Sequence, residues 1–194
     1  MCSRFELTAT AEEIARHFGL AQPPALPNAA ELRPTDLALV LTQDGPRLIG
    51  WGLAVDWDTK PLINARAETL TTRKTFSPLL ENRCLIPATA YFEWRKEGAV
   101  KLKNRIGLGD DALFSFAGLT DGERFTIVTC EPTSAIAHIH DRMPVILEAD
   151  AETRWIDPGL PFGAVEESLA PYSETPMQAK EENPPPVTQP DLFD

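Results

Sequence analysis

Cys2 stands directly behind the first methionine in the opening stretch MCSRFE. An initiator methionine is normally trimmed when a small residue follows. Trimming would leave Cys2 with a free α-amine and a thiol on adjacent carbons, with reference pKa values of about 8 and about 8.5. Such a 1,2-aminothiol can condense with an aldehyde, the amine forming an imine and the sulfur closing a five-membered thiazolidine; an internal cysteine offers the thiol alone. Three further stretches concentrate reactive side chains: INARAET (Asn64, Arg66, Glu68), AYFEWR (Glu93, Arg95) and HIHDRMPVIL (His138, His140, Asp141, Arg142). Each adjoins an apolar, strand-like run, so a rigid core can aim them at one place. Singly, each has an ordinary reading. Glu93 between Phe92 and Trp94 could be the solvent face of a strand, His140 a core histidine, and Arg66 and Arg142 partners of Glu68 and Asp141.

The elements that would position these residues are mostly strands. LALVLTQDGPRLIGWGLAVDW is two apolar runs split by Asp44-Gly45, a hairpin signal. CLIPATAYFEW, KLKNRIGL, LFSFAGL, RFTIVTC and MPVILE are further strand-like runs between Gly, Asp and Pro clusters. TAEEIARHFGL reads as a short helix with Thr10 as N-cap and Gly19 as its stop, and RKTFSPLLEN and EPTSAIAHI are the other helical candidates. Strands and helices do not alternate as a doubly wound fold requires. The expected class is α+β, predominantly β, with a curled or barrel-like sheet around one core and a few short helices. The domain is expected over residues 2–175, followed by a disordered, acidic, proline-rich tail over 176–194.

Composition narrows the setting. Among 194 residues with 43% hydrophobic content there is material for one core. Cys2, Cys84 and Cys130 form neither a disulfide framework nor a C-x-x-C pair, which suits a reducing cytosol. With no basic-then-apolar leader and no membrane-length apolar run, a soluble, cytoplasmic chain is expected. The net charge of -11 opposes broad attraction to nucleic acid. Seven of the 29 acids but one of the 18 bases lie from residue 161 onward, so a local basic groove in the body stays open.

Taken in order, MC-RF, WGL, NARAET, RCLIPA, EWR, FAGL and IHDRMPVIL resemble the SRAP (SOS response-associated peptidase) family across roughly residues 2–156. Members of that family crosslink to abasic sites in DNA. The resemblance implies that Cys2 captures the aldehyde of an opened abasic sugar. It implies that Asn64 positions the N-terminus and the ring, that Glu93 relays protons, and that His140 assists Schiff-base formation and sugar opening. Arg66 and Arg142, joined by Arg4, would hold the flanking phosphates. Trp51 and Pro34 would form an apolar wedge against exposed bases, whereas Trp57 and Trp94 are expected to pack in the core. Ser3 stands where the family usually has glycine. The implied partner is single-stranded DNA bearing abasic sites, bound by a monomer that uses no metal or other cofactor, with lyase activity and self-removal of Met1 as accompanying activities.

Two other classes use the same residues. An N-terminal-nucleophile cysteine hydrolase would employ Cys2 against an acyl carbon, with Asn64 in an oxyanion role. A catalytically silent binding module would need no processed terminus. Near the end of the chain, TQPDLFD resembles the short Q-x-[SD]-L-F peptide that docks on bacterial sliding clamps, through Gln189, Asp191, Leu192 and Phe193.

Overall fold

A computed structural model describes residues 2–109 and 112–182. Its strands in chain order are β1 (Phe5–Glu6), β2 (Glu31–Leu32), β3 (Leu37–Thr42), β4 (Gly45–Trp51), β5 (Leu53–Val55), β6 (Asp58–Leu62), β7 (Asn64–Arg66), β8 (Arg83–Ala88), β9 (Ala90–Glu97), β10 (Val100–Gly107), β11 (Phe114–Thr120), β12 (Arg124–Cys130), β13 (Met143–Pro144) and β14 (Gln178–Glu182). The α-helices among the described residues are α1 (Ala11–His17) and α2 (Ala149–Ile156). None of these helices is long and apolar enough to cross a membrane.

The runs richest in apolar residues close on themselves. Strands β11, β8, β3, β4 and β12 pair in that order, and β12 pairs back onto β11, which makes a five-stranded barrel with β7 and β13 added along β12. Every residue of β8 and β11 is buried, as expected of strands covered on both faces. A second sheet, ordered β14-β10-β9-β1-β2, packs against the barrel. Phe5 meets Trp51 and Phe116 with ring centroids 5.1 and 5.8 Å apart, and Tyr91 meets Phe116 edge-on at 6.1 Å. Burial of these rings supplies much of the adhesion between the two sheets. The chain passes from barrel to second sheet at Thr89, whose N–H and hydroxyl both donate to the carbonyl of Glu6, at 2.7 and 3.2 Å.

This is the α+β, predominantly β, barrel-like arrangement that the strand pattern predicts. The Asp44-Gly45 hairpin joins β3 to β4, with Gly45 at φ +107°. Thr10 caps α1 in a reciprocal box with Glu13. The other two helical candidates differ. RKTFSPLLEN holds only a 3-10 turn at Ser77–Leu79, where Pro78 interrupts the backbone donors, and EPTSAIAHI is a series of turns. A helix that sequence reasoning misses, α2, is held by fully buried Trp155 and by Glu152.

Residues 178–182, placed by sequence in the tail, pair with β10 from Lys103↔Glu182 to Gly107↔Gln178. The segment QAKEE has no large apolar side chain to announce a strand. Main-chain bonds hold it, together with Glu181 on Arg95 at 2.9 Å and Glu182 on Lys103 at 2.8 Å. The clamp-like residues Gln189, Asp191, Leu192 and Phe193 lie outside the described residues.

A polar contact helps to dock the helix α1. His17 Nε2 lies 3.0 Å from Glu152 Oε2, while Ser115 Oγ donates to Glu152 Oε1 at 2.7 Å. The hydrogen bond to Glu152 raises the His17 pKa, against partial desolvation. A raised folded-state pKa stabilises fully below the unfolded value of about 6.5 and loses its effect as pH rises through the folded value. Thermal stability should therefore fall by under about 1 kcal/mol between about pH 6 and about pH 8, the ring being partly solvated, and His17→Ala should flatten that slope in pH-dependent melting.

Candidate active site

The N-terminal segment is part of the second sheet. Strand β1 lies between β2 and β9, with Phe5 opposite both Leu32 and Tyr91, and the carbonyl of Arg4 accepts from the N–H of Phe92 at 2.9 Å. Cys2 is fully buried just ahead of this strand, and its thiol donates to the carbonyl of Arg4 at 3.6 Å. Burial and then the nearby charge of Glu93 push the thiol up to about 12, so it rests protonated.

Asn64 reaches Cys2 from the barrel. Its Nδ2 donates to the Cys2 carbonyl at 2.7 Å, while its buried Oδ1 accepts from no described residue. Two features set its place. Strand β4 leaves β12 at Gly52, and β7 takes over alongside, with Asn64 level with Ile127. Gly52 sits at φ +115°, where a Cβ would come within 2.7 Å of Pro61, so the crossover needs glycine. Trp51 Nε1 donates to the carbonyl of Ile63 at 2.9 Å, pinning the residue before Asn64.

Glu93 on β9 is 4% exposed, and burial raises its pKa above the ordinary carboxylate range, with the charge of His140 pulling it down. His140 Nε2 stands 3.9 Å from Glu93 Oε2. Its Nδ1 has two competing neighbours: the backbone N–H of Arg142 donates to it at 3.0 Å, and Asp141 Oδ1 lies 2.9 Å away. The first contact suits a neutral ring carrying its proton on Nε2, facing Glu93. The second suits a ring that carries a proton on Nδ1. With that Nδ1 proton held by Asp141, the ring can give or take a proton at Nε2.

Cys2, Asn64, Glu93 and His140 thus come together from the N-terminus, β7, β9 and the loop before β13. The cations surround them differently. Arg66 is exposed and has no side-chain partner among the described residues. Arg142 is already held: both guanidinium ends lie on Glu68, at 2.6 and 2.9 Å, and one also donates to the Thr129 carbonyl. That bond to Arg142 lowers the Glu68 pKa. Arg4 pairs with Glu31 at 3.0 Å and lies over the Trp94 ring at 5.3 Å.

The expectations for Trp51 and Trp57 are reversed. Trp51 is fully buried, stacked on Phe125 with centroids 6.2 Å apart, so it cannot meet a base; it is a core residue that positions Asn64. Trp57, expected in the core, is 70% exposed beside the β5–β6 turn. Trp94 is half-buried under Arg4. Pro34 is half-buried in a turn that closes from Arg33 to Asp36, and Thr35 adopts φ +78° there, a strained value for a β-branched residue. Ser3 is half-buried beside Cys2, and His138 is exposed. The described acids that cluster closely enough to share a cation are Glu148, Asp150 and Glu174, around the start of α2 rather than among these residues.

A family model for SOS response associated peptidase (SRAP) matches residues 1–183, a span that runs through β14. The chain belongs to that family. It is 36% identical over 203 residues to the abasic site processing protein YoaM of Bacillus subtilis (strain 168), a match covering 92% of this chain and 89% of that protein. It is 32% identical over 178 residues to the abasic site processing protein YedK of Escherichia coli (strain K12), covering 80% and 79%. A crystal structure of a protein from Bacteroides thetaiotaomicron matches with a TM-score of 0.78 at 27% identity, over 93% of this chain and 91% of that one.

Proposed function

We propose that this protein senses abasic sites in single-stranded DNA and crosslinks to them by closing a thiazolidine between Cys2 and the aldehyde carbon, C1′, of the opened sugar. The observation that carries the reading is the 2.7 Å bond from Asn64 to the Cys2 carbonyl, which anchors the nucleophile beside a buried carboxyl and an imidazole. A self-cleaving peptidase would need the carbonyl of residue 1 polarised, whereas Asn64 donates to that of residue 2. Removal of Met1 by an ordinary aminopeptidase supplies the free amine.

The thiol rests neutral, so the amine attacks first. Its lone pair adds to C1′, one amine proton passes to the oxygen, and His140, protonated on both ring nitrogens, gives its Nε2 proton to the same oxygen, which leaves as water and yields the iminium. The unpaired Oδ1 of Asn64 is an acceptor for the amine N–H during this step. Glu93 then takes the thiol proton, for which burial fits it by raising its basicity, and sulfur adds to the iminium carbon. Arg66 meets a phosphate directly. Arg4 and Arg142 reach phosphate by exchanging Glu31 and Glu68 for it, and exposed Trp57 is the base-stacking residue. The open imine formed without the thiol is the species that would permit strand scission. From sequence alone, we extend the proposal to docking of Gln189, Asp191, Leu192 and Phe193 on a sliding clamp.

Cys2→Ala should abolish the heat-stable adduct with an abasic oligonucleotide on a denaturing gel while leaving DNA affinity intact; a heat-stable adduct from that variant contradicts the mechanism. Glu93→Gln should slow adduct formation by about 10²- to 10⁴-fold. It should also remove a rate limb that rises with pH above the ordinary carboxylate range, because the base form accumulates only above the raised pKa. Arg66→Ala should instead weaken binding and reduce the salt slope by about 1, read by titration at several salt concentrations.

A further inference from the structure

Tyr91 is fully buried, and its hydroxyl makes no hydrogen bond with any described residue. Phenylalanine would fill the same space between Phe5, Ile106 and Phe116 without the cost of an unpaired buried hydroxyl. The ring is two residues before Glu93 on β9, so both side chains leave the same face of the strand. The titratable groups acting on the hydroxyl are Cys2 from the N-terminal segment, Glu93 from β9 and Cys130 from the end of β12. Burial first, and then the negative charges that these groups carry once deprotonated, hold its pKa well above the ordinary value, so it stays a neutral donor. Cys130 is itself pushed up to about 12 by burial and is no competing anion.

We propose that Tyr91 is a further catalytic residue, whose hydroxyl donates a hydrogen bond to the Cys2 sulfur as that sulfur takes on negative charge during ring closure. The inference rests on the thiazolidine reading. In the step concerned, the Glu93 carboxylate accepts the thiol proton, and a sulfur lone pair forms the S–C bond to C1′ of the iminium. The C=N π pair returns to nitrogen, leaving a neutral ring amine. Tyr91 keeps its proton throughout and offers the neutral dipole that a buried thiolate requires. The hydroxyl is thus unpaired in the resting protein because its acceptor exists only while the reaction proceeds.

The test is Tyr91→Phe in the full-length, Met1-free protein, mixed with an abasic oligonucleotide. Borohydride trapping reports the imine, and heat-stable adduct reports the closed ring. DNA binding and imine formation should match the wild type, while ring closure should slow about tenfold to a hundredfold, with its pH dependence displaced to higher pH. The melting temperature should be unchanged or higher. Ring closure at the wild-type rate overturns the proposal, as does equal slowing of both steps with a lowered melting temperature. A wild-type protein that forms imine but never a ring overturns the thiazolidine reading itself, and this inference with it.

Discussion

The hydrogen bond from Asn64 to the carbonyl of Cys2 joins the two halves of the molecule at the proposed nucleophile. Cys2 belongs to the second sheet through β1, and Asn64 belongs to the barrel through β7. Neither sheet alone could fix Cys2 in this way. The rest of the architecture serves that junction: Gly52 opens the gap through which β7 enters, Trp51 ties down Ile63, and the aromatic contacts of Phe5 set how far the two sheets stand apart. An N-terminus is ordinarily the loosest part of a chain. Here it leads into a strand flanked on both sides, the anchorage that the proposed attack by a terminal amine requires.

Burial governs the chemistry around that junction. It keeps the Cys2 thiol neutral, lifts Glu93 toward useful basicity and holds Tyr91 protonated. In the proposed mechanism, one environment thereby suppresses the thiol at rest and arms the base that releases it. The cations show a parallel economy. Glu31 and Glu68 occupy Arg4 and Arg142, leaving Arg66 as a cation without a side-chain partner among the described residues. In a chain with a net charge of -11, self-pairing of this kind lowers indiscriminate attraction to phosphate.

Legibility in the sequence followed the range of the forces involved. The Asp44-Gly45 hairpin, the Thr10 capping box and the apolar core strands rest on neighbours in sequence, and each was readable there. The contiguous motifs around Asn64, Glu93 and His140 were readable for the same reason. Long-range choices were not. Trp51 and Trp57 are the same residue six positions apart, and only the tertiary fold decides which is buried. The partner of Arg142 is Glu68, 74 positions earlier, rather than the adjacent Asp141. The strand at 178–182 and the helix at 149–156 carry polar sequences whose order comes from pairing with β10 and from buried Trp155. The isolation of the Tyr91 hydroxyl is likewise visible only once its surroundings are packed.

The central claim is that one carbon of the lesion ends bonded to both the nitrogen and the sulfur of Cys2. It is tested most directly by carbon-13 NMR of the adduct formed with DNA labelled at C1′ of the abasic sugar. A thiazolidine predicts a single saturated carbon signal that couples to the Cys2 nitrogen in nitrogen-15-labelled protein and persists after heating without reductant. An unsaturated imine carbon as the final product, or a saturated carbon with no coupling to that nitrogen, would contradict the account.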